Sequence, residues 1–199
     1  KETHNLSVLF GQGAEYSYID NLWGEGNYIA SNSIQTIQGV VSKNSNASSS
    51  IEERARLSWF ARLSYDYKDK YLFSANWRMD GSSRFGVDGR WATFWSVGLM
   101  WNLRKEKFMQ KYDWLTNAQV TFSTGTSGNS TIPNYDHLAL VSGGLDYMGE
   151  AGIAPSQKGN EKLGWEQLWT TNIGLHLGLF SRINFDFEFY NKRTSNMLM

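Results

Sequence analysis

Arg54-Ala55-Arg56-Leu57-Ser58-Trp59-Phe60-Ala61-Arg62-Leu63-Ser64-Tyr65-Asp66-Tyr67 alternates strictly: every odd position is apolar and every even one but Phe60 is polar. Side chains on a strand point to opposite faces in turn, so this segment has one greasy face and one charged face. A bilayer core requires roughly 9–11 tilted residues per strand, against about 5–6 in ordinary soluble sheets. The stretch therefore predicts one wall strand of a transmembrane β-barrel.

Working outward, the same alternation predicts seven strands, at 4–14, 53–67, 70–80, 91–103, 115–126, 165–179 and 182–193. Tyr71, Phe73, Ala75, Trp77 and Met79 oppose Ser74, Asn76, Arg78 and Asp80, and Ile183, Phe185, Phe187 and Phe189 oppose Asn184, Asp186 and Glu188. The links between strands run long, short, long, short, long, short. Short turns of bacterial barrels face the periplasm and long loops the exterior, which puts 15–52, 81–90 and 127–164 at the cell surface. The run from Ser42 to Ser50 reads as a solvated tip within the first of these. Rings near strand ends (Tyr65, Tyr67, Tyr71, Phe73 and Trp101 at one level, Trp91 and Trp95 at the other) suit the two headgroup layers. The alternative is a soluble secreted β-sandwich that binds carbohydrate, with its aromatic residues in a dry core or a binding platform.

Composition fits a β-rich chain. Of 199 residues 19 are glycine, two are proline and 15% are aromatic. Nineteen basic and nineteen acidic residues cancel, which gives no nucleic-acid footprint. Cysteine is absent, so disulfide scaffolds and thiolate metal sites are excluded. No apolar run is long enough for a transmembrane helix. An opening without a signal segment, and an odd number of strands, lead us to expect an internal fragment of a larger barrel.

Ordered motifs resemble one family, the SusC/RagA-type TonB-dependent outer-membrane transporters of Bacteroidetes. They are Tyr67-Lys68-Asp69-Lys70-Tyr71-Leu72, Arg78-Met79-Asp80-Gly81-Ser82-Ser83-Arg84-Phe85-Gly86, Arg90-Trp91 with Phe94-Trp95-Ser96-Val97, and Glu106-Lys107-Phe108-Met109. Gly125 with Gly128-Asn129, Asn160-Glu161-Lys162-Leu163-Gly164-Trp165-Glu166, and Tyr190-Asn191-Lys192-Arg193-Thr194 with Met197-Leu198 complete the set. Trp95 stands where the family usually has proline. The resemblance implies an all-β, antiparallel transmembrane barrel of about 22 strands, of which residues 1–199 would supply about seven with long extracellular loops. It implies further that the plug domain and the TonB-binding segment are absent from this sequence. Such a protein imports oligosaccharides or peptides across the outer membrane. Its partners would be lipid, the remaining strands and plug, a SusD-like surface lipoprotein and, through the absent N-terminal part, TonB.

No catalytic residue, metal or cofactor is expected. Gly125-Thr126-Ser127-Gly128 misses the spacing of a nucleophile elbow, and His4, His137 and His176 are scattered. Candidate cargo or lipoprotein contacts are the loop aromatics Trp23, Tyr28, Tyr135 and Tyr147. Arg54, Arg56, Arg62, Asn76, Arg78, Asp186 and Glu188 share the parity expected of the lumen, where they would pair with plug or neighbouring strands or line the cargo route. Asp80, Gly81, Ser82, Ser83, Arg84, Phe85 and Gly86 read as a structural loop, with Arg84 pairing Asp80 and with Gly81, Gly86 and Gly89 taking positive φ.

Overall fold

The computed structural model describes residues 3–29, 31, 33–34, 36–40, 43 and 45–197. Among these residues nine strands run in order: β1 (His4–Gly26), β2 (Ser45–Tyr67), β3 (Tyr71–Ser82), β4 (Trp91–Asn102), β5 (Leu115–Asn129), β6 (Leu140–Tyr147), β7 (Glu150–Gln157), β8 (Glu166–Leu179) and β9 (Ile183–Ser195). Seven form a single antiparallel sheet in the order β1-β2-β3-β4-β5-β8-β9. β6 and β7 form a separate ribbon inside the last long link. All six connections inside the large sheet therefore join spatial neighbours.

The register shows why the alternation matters. One continuous row across the seven strands is Leu6, Tyr65, Phe73, Leu99, Phe122, Ile173 and Phe189. The adjacent row, on the opposite face, is Ser7, Ser64, Ser74, Gly98, Ser123, Asn172 and Tyr190. A one-residue slip anywhere would mix the two faces, so the pattern fixes the register. Leu6, Leu99, Ile173 and Phe189 remain about half exposed or more. Among the described residues no second sheet packs on this apolar row, and that sets the β-sandwich alternative aside. From Trp91 to Trp101, the ring-bearing ends of β4, the strand rises roughly 33 Å, or about 25 Å at a barrel's tilt, the height of a lipid-facing band.

Two of the short turns are tight hairpins. Lys68 and Asp69 have φ of 56° and 51°, and Phe180 and Ser181 both have φ of 55°. Consecutive positive φ values give a turn whose twist matches that of the strands it joins. Lys70 N donates to Tyr67 O at 2.9 Å and Arg182 N to Leu179 O at 3.0 Å, closing both. The third short link opens with a 3-10 turn at Leu103–Lys105. Glu106 then gathers three donors: Tyr71 Oη at 2.7 Å, Lys70 Nζ at 3.1 Å and Trp101 Nε1 at 3.3 Å. Those donors, Tyr71 first, hold its carboxyl below the usual value of 4.5. A carboxylate with a depressed folded pKa stabilises above its unfolded pKa and ceases to as pH falls through the folded value. Glu106→Gln should therefore lower the urea midpoint of the full-length protein at pH 6. The gap to wild type should shrink at pH 3, and a gap equal at both pH values would refute the assignment.

The structure corrects the expectations for the long links. β1 and β2 pair without interruption from His4↔Tyr67 to Gly26↔Ser45, so most of the expected loop 15–52 is strand. The extra length, on the order of 30 Å along the strand, extends the hairpin past the last β2–β3 pair, Arg56↔Ser82. Within the expected mobile tip, Ser45 to Ser50 lies in β2, while Ser42 and Asn44 lie outside the described residues. The link 127–164 is likewise not irregular throughout, since it holds β6 and β7.

A compact core lies at the long-loop end of the polar face. Phe94 (6% exposed) stands on β4 opposite Arg78, and Phe85 (0%) and Trp165 (7%) reach it from the loops 83–90 and 158–165. Their rings meet at 4.9 Å (Phe85–Trp165) and 5.6 Å (Phe94–Trp165). Trp165 Nε1 donates to Arg90 O at 3.0 Å, so the buried indole is satisfied. Gly86 makes the approach possible: its N–H bonds Leu163 O at 3.0 Å, and a Cβ there would overlap the Glu161 carbonyl. Gly86→Ala is expected to cost about 1–3 kcal/mol by forcing the two loops apart, measured as unfolding of the whole barrel in detergent. A shift within a few tenths would mean that the loops separate without penalty. Gly81, Gly86 and Gly89 are not among the positive-φ residues, which corrects the expected reason for them. Gly89 lies against the Leu163–Gly164 backbone and Gly81 beneath the Trp91 ring, so they serve close approach instead.

Candidate functional site

The polar face gathers its chemistry at the end where β2, β3 and β5 meet the long loops. Arg54 and Arg56 alternate along β2 and so stand on the same side, with Glu15 opposite Arg56 on β1. Arg54 Nη2 pairs with Glu15 Oε1 at 3.0 Å. Arg56 Nη2 donates to Ser130 Oγ at 3.0 Å, just past the end of β5. Arg78 Nε pairs with Asp80 Oδ2 at 2.6 Å, two residues along β3. Asp80 is 6% exposed and its Oδ1 has no protein partner.

Arg84 does not pair with Asp80 as the sequence suggested. Its Nε donates to Asn134 Oδ1 at 2.8 Å and its Nη1 to Ser130 O at 3.2 Å. His137 Nδ1 donates to the Arg84 carbonyl at 3.1 Å, and Asn134 Nδ2 reaches Glu52 Oε2 at 2.9 Å. Arg84 is thus a bracket between the loop after β3 and the loop after β5. Ser83 adds a second tie, with its N–H on Ala55 O at 3.0 Å and its Oγ accepting from Ala55 N at 2.9 Å. Asp80 lost the competition because Arg78 sits beside it on the same face, where no loop ordering is needed to bring them together.

A cleft of about 340 Å³ opens below this bracket, lined among others by Arg56, Asn76, Arg78, Asp80, Ser96 and Trp165. Arg62 Nε donates to Asn76 Oδ1 at 2.7 Å and Asn76 Nδ2 to Ser96 Oγ at 3.0 Å, a chain across β2, β3 and β4. Asp186 lies on the same face of β9, accepting from His176 Nδ1 at 2.7 Å, and Glu188 stands opposite Gly174. The sequence-derived polar set therefore shares one face, but only Arg54, Arg56, Asn76 and Arg78 gather around these loops.

The four loop aromatics stand on different elements. Trp23 is part of β1 opposite Ser48. Tyr28 has φ of 63° and is 85% exposed. Tyr135 (φ 70°) accepts the Glu53 backbone N–H at its Oη at 2.6 Å, acting as a strut between loop and β2. Tyr147 ends β6, and its side chain lies outside the described residues. Sequence reasoning missed Ser130, Asn134, His137 and Gln157, whose Nε2 donates to the Tyr135, Asp136 and Leu138 carbonyls at 3.2, 3.0 and 2.9 Å. Nothing periodic marks such loop residues. Only the density of Asn, His and Asp after Ser130 hinted at them.

The family model described as TonB dependent receptor-like, beta-barrel matches residues 2–199. The chain belongs to this family. It is 36% identical over 92% of its length to TonB-dependent receptor P39 of Formosa agariphila, of which it covers 17%. It is 33% identical over 71% of its length to TonB-dependent receptor SusC of Bacteroides thetaiotaomicron, covering 15% of that protein. A solved structure of the RagAB peptide transporter superposes on the whole chain with a TM-score of 0.90 at 32% identity, over 22% of the longer chain. The sheet is thus a section of a TonB-dependent receptor barrel, an outer-membrane fold, with its apolar row toward lipid. The chain spans less than a quarter of these relatives. This is a receptor and transporter family, not one of enzymes.

Proposed function

We propose that this chain is a wall segment of an outer-membrane importer, energised through TonB, that brings oligosaccharides or peptides into the cell. The observation that carries the reading is the pair of rows, one apolar and one hydroxyl-rich, running unbroken across seven strands. A sheet with one face for lipid and one for a wet interior is what a large barrel needs. Family membership and the peptide importer among the solved relatives support the direction of transport. Residues 1–199 belong to the barrel domain in this reading, and the plug and TonB-binding segment are other parts of the protein. The polar face looks into the lumen. There Arg62, Asn76, Asp186 and Glu188 meet plug or cargo, and the wall itself performs no covalent chemistry.

The protruding β1–β2 hairpin, with Trp23 and Tyr28 near its end, supports a surface partner, a SusD-like lipoprotein closing the barrel mouth. Tyr135 and Tyr147 lie in the link that holds the β6–β7 ribbon and would border the same opening. Deleting the full-length protein from its host should abolish growth on at least one glycan or peptide source. Unchanged growth across a broad panel would sink the import reading. Loss of lipoprotein co-purification on shortening the hairpin tests the lid separately.

A further inference from the structure

Beside the larger cleft lies a smaller one of about 100 Å³, lined by Glu15, Arg54, Ala55, Arg56, Ser82 and Arg84. Its charges do not balance, since three guanidiniums face one carboxylate. Arg54 is matched by Glu15. Arg56 and Arg84 have only neutral acceptors, the hydroxyl and carbonyl of Ser130 and the Asn134 amide oxygen. Glu52 reaches Arg84 only through that amide. No carboxylate among the described residues forms an ion pair with either arginine. Guanidinium groups stay charged at every working pH, so the repulsion between them cannot be relieved by losing a proton. The positions are also fixed beforehand. Arg54 and Arg56 stand on one strand paired with β1, and Arg84 is pinned at two atoms while leaving donors unspent. A planar fork with free N–H groups is the protein's best match to a carboxylate or sulfate oxyanion.

We propose that this cleft binds an anionic group of the cargo, a carboxylate or a sulfate, and so biases the importer toward acidic oligomers. The proposal rests on the import reading and sharpens it. Shared placement of Arg56 on both clefts would then hold the charged group at the rim while the neutral remainder of the chain lies along the larger cleft.

The test uses the full-length protein in detergent and paired probes: a glutamate hexapeptide with its glutamine twin, and a sulfated oligosaccharide with its desulfated twin. At low salt, at least one acidic probe should bind about tenfold more tightly than its twin, and added salt should erode the difference. Arg56→Gln, which gives up one part-buried hydroxyl contact, should remove most of that preference. Arg56→Gln with Arg84→Gln should remove all of it. Equal binding within both pairs, or a preference that survives in the double variant, overturns the proposal. So does tighter protease protection of the plug region in wild type than in Arg56→Gln with no change in probe binding, which assigns the arginines to an internal acid. Should neither probe pair bind while host cells still grow through the protein on neutral cargo, this proposal falls and the import reading stands.

Discussion

Phe85→Ala is expected to lower the stability of the whole barrel by about 3–5 kcal/mol. The ring is fully buried, and nothing in the loop can move in to fill the space, because Gly86 and Gly89 already lie against the 161–164 backbone. Removing it takes away one wall of the Trp165 pocket and leaves Phe94 facing a void. The effect should spread: Arg84, Ser83 and Trp165 all depend on the same loop conformation for their bonds to three other segments. Val87→Ala in the same loop, where the side chain is 65% exposed, should change stability by no more than about 0.5 kcal/mol. Urea unfolding of the full-length protein in detergent, followed by heat-modifiable gel mobility, measures both. A Phe85→Ala loss below about 1 kcal/mol would show that the three rings meet without anchoring the loops.

Leu99→Arg should cost about 2–4 kcal/mol, since it puts a guanidinium at mid-depth on the lipid face. Leu99 stands in the apolar row between Phe73 and Phe122, so no polar neighbour is within a pair's reach. Leu22→Arg is the control. Its even numbering in β1 gives it the same face as Leu6, Val8 and Phe10, but it lies in the extension near the end of the strand and is 84% exposed. Beyond the lipid the same substitution should be nearly neutral. Equal effects at the two positions, read as folded yield in lipid vesicles, would contradict the depth assigned to β4. A large effect at Leu22 alone would place the membrane at the other end of the sheet.

The strands inside the lipid were legible because lipid imposes the pattern that reveals them. Arg54 to Tyr67 must show hydrocarbon to one side and water to the other, and alternation is the record of that demand. The extensions of β1 and β2 were not legible for the complementary reason. Ser45-Asn46-Ala47-Ser48-Ser49-Ser50 pairs with 21–26 in water on both faces, so nothing selects greasy residues at every second place. Such a strand has the composition of a loop. The same logic applies to Arg84: its charge and its motif were visible, but the choice between Asp80 and Asn134 depended on which loop came within reach.

From the sequence alone came the all-β class, the strands of the barrel wall, the sides of the sheet and the family resemblance, because each is written in local periodicity or in a contiguous motif. Tertiary structure alone decided that Phe85, Phe94 and Trp165 form one core, that Arg84 bridges two loops, and that two arginines share a cleft without a carboxylate for either. Those facts join residues separated by dozens of positions, and only the folded chain brings their side chains within bonding distance.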